Sequence, residues 1–173
     1  MVKRSLIGIM LLAFILPLLC SCASRTPPRW EYEQDAITLH LDADKKLNFR
    51  DGTSHTLSVC VYQLKDPNTF HQLSDDPDGI YQLFDCSIYD ASVAVTKRLI
   101  VHPDQALKVT LDRAEGAKYI AVVAGYYTIE KNMVVRFYKI PTKKKGLHRK
   151  SVPMKMDINL VLGPKQILTP KGE

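Results

Sequence analysis

The sequence predicts an all-β sandwich of about seven strands with one short inserted helix. Two observations carry this prediction. Short runs of alternating apolar and polar residues recur from Ile37 to Leu162, the period of a strand with one buried face. Helical spacing stands out at one place, directly after Asp76-Pro77. Many short strands with turn residues between them bury their apolar faces best as two packed sheets. No internal repeat or long low-complexity segment interrupts the pattern.

Each element has its own warrant. Ile37, Leu39 and Leu41 alternate with Thr38 and His40, a half-buried strand. Asp42 to Thr56 is polar and holds Gly52, which reads as a loop. In Leu57–Leu64, Val59 and Val61 share one face while Cys60 and Tyr62 share the other. Asp76 resembles an N-cap with Pro77 at the first helical position, and Ile80, Tyr81, Leu83 and Phe84 follow at helical spacing, so a helix is expected over 77–85. It would cover a sheet edge, and Cys86 just after it would tie it to the second strand. Val93–Val101 is a third strand, stopped by His102-Pro103, and Leu107, Val109 and Leu111 mark a fourth. Tyr119–Tyr127 is apolar on both faces, as in a central strand. Met133–Ile140 is a sixth. Met154, Met156, Ile158, Leu160 and Leu162 form the clearest alternation in the chain.

The N-terminus reads as an address. Lys3 and Arg4 precede an uncharged apolar run, Leu6–Leu19. A helix over that run rises only about 21 Å, against a hydrocarbon core of roughly 30 Å, and Pro17 would break its last turn. A cleaved export signal fits better than a membrane span. Leu19-Cys20-Ser21-Cys22 resembles a bacterial lipobox. Cys22 is the expected lipidation site, because it puts Leu19 at the aliphatic position and small Ser21 at the cut. Cys20 would instead put Pro17 and bulky Leu19 there. The alternative is an ordinary signal peptide that contains cysteines. The expected organisation is a signal peptide over 1–21, a lipidated Cys22 with a short tether over 22–29, and a periplasmic β-sandwich domain over 30–173. Ala23 after the cysteine favours the outer membrane by the bacterial sorting rule. The tether Ala23–Arg29 carries two prolines and reaches at most about 25 Å.

Charge and cysteine content narrow the class. The chain carries 24 Lys+Arg and 18 Asp+Glu, a formal net charge of +6. Cleaving the signal removes Lys3 and Arg4 and leaves +4, too mild a balance to indicate nucleic acid. With Cys20 cleaved and Cys22 acylated, Cys60 and Cys86 remain. In an oxidising periplasm they form a candidate disulfide; the alternative is two buried free thiols. No catalytic residues, cofactor or metal site is expected. His40, His55, His71, His102 and His148 are scattered, and no nucleophile elbow or phosphate loop is present. Asp112-Arg113-Ala114-Glu115 reads as a solvated turn rather than an acid/base pair. Asp75, Asp76 and Asp78 read as helix capping rather than a calcium site. Lys143-Lys144-Lys145, with His148, Arg149 and Lys150, is the strongest charge run. It is either a solvated hairpin loop or a contact for an acidic partner or anionic head groups.

Several segments carry a family resemblance. They are the lipobox at Cys22, Ala43-Asp44 with Leu47-Asn48, and Val59-Cys60-Val61-Tyr62-Gln63-Leu64 with Lys65-Asp66 and Phe70 behind it. Ile120-Ala121-Val122-Val123-Ala124-Gly125 and the closing alternating strand complete the set. In this order they resemble the TssJ family, outer-membrane lipoproteins of type VI secretion systems. The resemblance implies a transthyretin-like β-sandwich with an added helix, no enzymatic activity, and anchorage on the periplasmic side of the outer membrane. It also implies a partner, the periplasmic domain of the inner-membrane protein TssM, in a membrane complex with TssL. In the family the loop between the first two strands is implicated in holding TssM. Here that loop is Ala43–Thr56, with Asp44, Lys45, Lys46, Asn48, Arg50 and Asp51 expected to be exposed. Two departures are visible. Cys60 stands where many relatives are expected to carry Arg, and an expected Pro-Gly turn is Pro103-Asp104. Another non-enzymatic lipoprotein, such as a pilotin or assembly factor, is the alternative reading.

Overall fold

A computed structural model describes residues 27–146 and 150–168. In chain order the elements are β1 (Glu33–Ala43), β2 (Leu57–Leu64), α1 (Asn68–Asp75), α2 (Pro77–Phe84), β3 (Val93–Val101) and β4 (Ala106–Arg113). Then come β5 (Tyr119–Ala124), α3 (Lys131–Val134), β6 (Val135–Lys139), β7 (Thr142–Lys145), β8 (Lys150–Pro153), β9 (Met156–Leu162) and β10 (Ile167–Leu168). Two four-stranded sheets face each other, ordered β10-β9-β1-β4 and β3-β2-β5-β6, and β7-β8 is a separate hairpin. This is a mostly-β sandwich. β1 and β9 run parallel; every other pair in the two sheets is antiparallel.

β2 is buried on both faces, and each face has a different neighbour. Val59, Val61 and Gln63 look into the sandwich. Gln63 crosses to the other sheet: its Nε2 donates to Asp112 O at 2.7 Å, and its Oε1 accepts from Ala114 N at 2.8 Å. Cys60 and Tyr62 look outward, onto the helices. The Tyr62 hydroxyl donates to Leu83 O at 2.6 Å, its ring lies 5.8 Å from Phe70, and burial pushes its pKa upward. Cys60 and Cys86 form a disulfide with Cα atoms 5.5 Å apart. Closing a loop of 26 residues contributes about 3.5 kcal/mol in the chain-entropy model. Arg98, directly across β3 from Cys60, donates to Phe84 O and Asp85 O at 3.1 and 2.6 Å, meeting the bare carbonyls at the end of α2.

The insertion holds two helices, not one. α2 starts where expected, with Asp76 Oδ2 accepting from Gly79 N at 2.7 Å and Pro77 in the first turn. α1 has only Phe70 and Leu73 as apolar residues at helical spacing, one turn's worth of signal. Tertiary packing makes up the deficit: Phe70 meets Tyr62 and Phe137, and α2 lies close behind. Gly79 permits that approach, since a Cβ there would sit 2.7 Å from Leu73 O.

Three further differences have local causes. β5 ends at Ala124: Gly125 N still bonds Ser58 O in register at 2.8 Å, but Tyr126 N turns back to Ala124 O at 2.9 Å. Met133 and Val134, read as the start of a strand, instead end the short α3 before β6. The Pro103-Asp104 turn works without glycine because Asp104 itself adopts φ +61°, a conformation that Asp tolerates better than most residues. On the β3/β4 side the sandwich stays open as a cleft of about 470 Å³ lined by Val61, Val95 and Leu111.

Replacing Gln63 by Leu keeps the shape but orphans Ala114 N–H and Asp112 C=O. Chemical denaturation is expected to show a loss of about 2–4 kcal/mol. An unchanged midpoint would show that water satisfies both groups.

Candidate partner-binding surface

β1 sets the geography of the candidate surface. Ten rises of about 3.3 Å separate Glu33 from Ala43 by roughly 30 Å. The chain enters β1 from the N-terminal segment at one pole and leaves it into the 43–56 loop at the other. The register places the other loops: β9 runs parallel from Met156 opposite Ile37 to Leu162 opposite Ala43, and β4 returns from Ala106 to Arg113.

At the loop pole, residues 43–56 are tied down rather than loose. Asp44 N donates to Leu162 O, Phe49 N to Pro164 O and His55 N to Leu47 O, at 2.8–3.0 Å. Arg50 and Thr53 exchange backbone hydrogen bonds around a tight turn through Asp51 and Gly52, both at positive φ. Leu47 is fully buried beneath this frame. Asp44, Lys45, Lys46, Arg50 and Asp51 are exposed on it.

Asn48 corrects the sequence reading. It is 5% exposed, not a surface group. Its φ is +47°, its Nδ2 donates to Thr56 O at 3.2 Å, and its Oδ1 accepts from Tyr127 N at 3.2 Å. Asn is suited to both tasks: it tolerates the left-handed region, and its amide donates and accepts at once. Tyr127 is the residue that sequence reasoning placed in a strand. It is half exposed beside the loop, with the Arg50 guanidinium 4.8 Å from its ring centre and His55 edge-on at 5.3 Å. An aromatic face flanked by exposed cations is a common composition for an interface centre.

The opposite pole holds the entering chain. Arg113, read from sequence as part of a solvated turn, is 3% exposed. Its guanidinium donates to Glu33 Oε2 at 2.7 Å and to Glu31 O at 3.0 Å, and faces the Trp30 ring at 6.0 Å. Gly116 N donates to Trp30 O at 2.7 Å. Asp112 accepts from the Tyr32 hydroxyl at 2.5 Å and from Asp35 N at 2.9 Å. These bonds, the Tyr32 one foremost, hold the Asp112 carboxyl below its usual range. The tie is complete above the ordinary carboxylate range and is lost only as pH falls through the lowered value. Residues 30–35 are therefore pinned to the end of β4. The expected lipidation site, Cys22, lies outside the described residues, as do His148 and Arg149 of the basic run. No group of three or more His, Cys, Asp or Glu side chains among the described residues could hold a metal, and no helix among them could cross a membrane.

Residues 35–163 match the family of type VI secretion lipoproteins that includes VasD, EvfM and TssJ. The chain belongs to this family. Three solved structures share its fold. Serratia marcescens Lip, a membrane-bound component of the type VI secretion system, is 18% identical over 79% of this chain and 98% of its own, with a TM-score of 0.60. The lipoprotein TssJ1 from Pseudomonas aeruginosa is 16% identical over 83% and 95%, with a TM-score of 0.54. A chain in the structure of the TssM C-terminal domain (869–1107) from EAEC is 17% identical over 76% and 94%, with a TM-score of 0.57. No curated protein matches the chain. The transthyretin-like sandwich expected from the TssJ resemblance agrees with these relatives.

The loop frame yields a sharp contrast. Asn48→Ala is expected to cost about 2–3 kcal/mol, from a strained positive φ and two unmade buried hydrogen bonds, while exposed Lys45→Glu stays within about 0.5 kcal/mol. Thermal melts of both variants check this; equal melting temperatures would remove Asn48 as the loop's internal brace.

Proposed function

We propose that this chain is a structural, non-enzymatic lipoprotein of the type VI secretion membrane complex. It is cleaved after Ser21, acylated on Cys22, held in the outer membrane and turned toward the periplasm. Its 43–56 loop binds the periplasmic domain of TssM. The observation that carries the reading is the separation of the two poles. The segment leading from Cys22 is stapled by Arg113 at one end of β1, and the braced, charged loop stands roughly 30 Å away at the other. A protein that links a membrane to a partner needs its two attachments at opposite ends. Several acyl chains on one cysteine give a stable anchor, because each buried CH₂ adds about 0.8 kcal/mol.

The contact surface proposed for TssM is Asp44, Lys45, Lys46, Arg50 and Asp51, with Tyr127 at its centre and Asn48 bracing it from inside. No residue of this surface is asked to do chemistry. The role is mechanical: load passes from the partner through the loop, along β1 with β4 and β9 beside it, and out through the tether. β1 is hydrogen-bonded on both sides over most of its length, which suits it to that task.

Two experiments divide the reading. Cys22→Ser is expected to yield a folded protein that still binds the TssM periplasmic domain but no longer supports secretion; a secretion-competent strain would sink the anchoring role. Charge reversal at Lys45, Lys46 and Arg50 together should weaken TssM binding at least about tenfold, measured calorimetrically, with little change in melting temperature. Full affinity in that variant would move the interface off this loop.

A further inference from the structure

The basic hairpin lies at the tether pole and not at the loop pole. We propose that it is a membrane-facing surface, which binds the anionic head groups of the membrane holding the acyl chains. The inference rests on the acylation of Cys22 proposed above.

Three observations support it. First, β7 and β8 pair with Lys143 opposite Val152 and Lys145 opposite Lys150. Cross-strand partners share a face, so Lys143, Lys145 and Lys150 project together. Two lysines directly opposite each other destabilise a hairpin, so this arrangement is not explained by the hairpin's own stability. An anionic surface against that face removes the repulsion.

Second, this face forms one wall of a groove of about 800 Å³, and Lys155 adds to it. The entering chain lines the same groove through Pro27, Arg29, Glu31, Tyr32 and Glu33. The two carboxylates there are already engaged: Glu31 lies 3.9 Å from Arg29 and Glu33 is bound by Arg113. Lys143, Lys145, Lys150 and Lys155 are all exposed, with no carboxylate partner among the described residues. The groove thus carries a net positive field toward solvent.

Third, Pro27 lines this groove, and it stands five residues after Cys22. Fully extended, that stretch spans at most about 18 Å. A lipid held at Cys22 keeps the groove within about two Debye lengths of the head groups at physiological salt, and any slack in the tether brings it closer. Of the acidic surfaces available, the membrane is the one that the tether itself delivers. Lysines at this distance from an anionic leaflet attract it cumulatively. The effect would orient the sandwich, with the β7–β8 hairpin against the membrane and the 43–56 loop pointing away.

The test uses the acylated full-length mature protein in vesicles of phosphatidylcholine alone or with phosphatidylglycerol, read by hydrogen exchange. The β7–β8 amides are expected to exchange about tenfold more slowly on the anionic vesicles, and the protection should vanish near 1 M salt, where the Debye length is about 3 Å. The triple variant Lys143→Gln, Lys145→Gln, Lys150→Gln should lose the protection while β9 amides keep theirs, which shows that the fold is intact. Equal exchange on both vesicles, with the protein retained on each, overturns this proposal alone. Protection by inorganic phosphate on neutral vesicles also overturns it, in favour of a soluble anion. A protein that stays with neither vesicle overturns the anchor, and this proposal with it.

Discussion

The architecture hangs on β1. It lies inside its sheet with a long partner on each side, antiparallel β4 on one and parallel β9 on the other. Its inward residues, Ile37, Leu39 and Leu41, are almost wholly buried, and a one-residue slip would turn all three to solvent. The register is therefore held by burial as well as by hydrogen bonds. Because the register is held, the two ends of β1 are held, and with them the distance between the entering chain and the first long loop. A parallel partner reinforces this. β9 reaches β1 only after the chain has crossed the molecule, so its pairing closes the sandwich around the strand that began it.

β2 plays the complementary part in the second sheet. It buries both faces, against the first sheet through Gln63 and against the helical insertion through Tyr62 and Cys60. A bare outer face rich in Val and Ala would expose a large apolar patch. The insertion covers it, and three different interactions keep it there: a covalent bond from Cys60 to Cys86, the Tyr62 hydroxyl on Leu83, and Arg98 on the last carbonyls of α2. Helices that carry little propensity of their own are stable in this setting because the sheet supplies their buried face.

Much of this was legible in the residues. The alternation of Ile37, Leu39 and Leu41, the two-faced apolar runs of β2 and β5, and the Asp76-Pro77 start of α2 are local signals, and each lies where its periodicity or capping indicates. α1 was not legible, because eight residues with two apolar side chains look like loop until Tyr62 and Phe137 are placed against them. Asn48 and Arg113 misled for a related reason. Both are polar residues beside turns, which are exposed in most proteins. Each is buried here because it satisfies backbone groups that the fold brings to it: Asn48 that of Thr56 within its own loop and that of distant Tyr127, Arg113 that of distant Glu31. Asn48 does carry a weak signal, since Asn tolerates a left-handed turn. Nothing in the order of residues marks Arg113.

The sequence by itself determined where the seven main strands fall, where the polar loop lies, and which family the chain resembles. These depend on period, capping and composition, all properties of neighbours along the chain. The tertiary structure alone decided which strands pair and in which direction, and so which ends of the molecule the loop, the entering segment and the basic hairpin occupy. The pairings and bonds that close the sandwich join residues 50 to 120 positions apart, such as Gln63 with Ala114 or Ile37 with Met156. No local pattern encodes such contacts, because they follow from the joint burial of surfaces that meet only once the chain has folded.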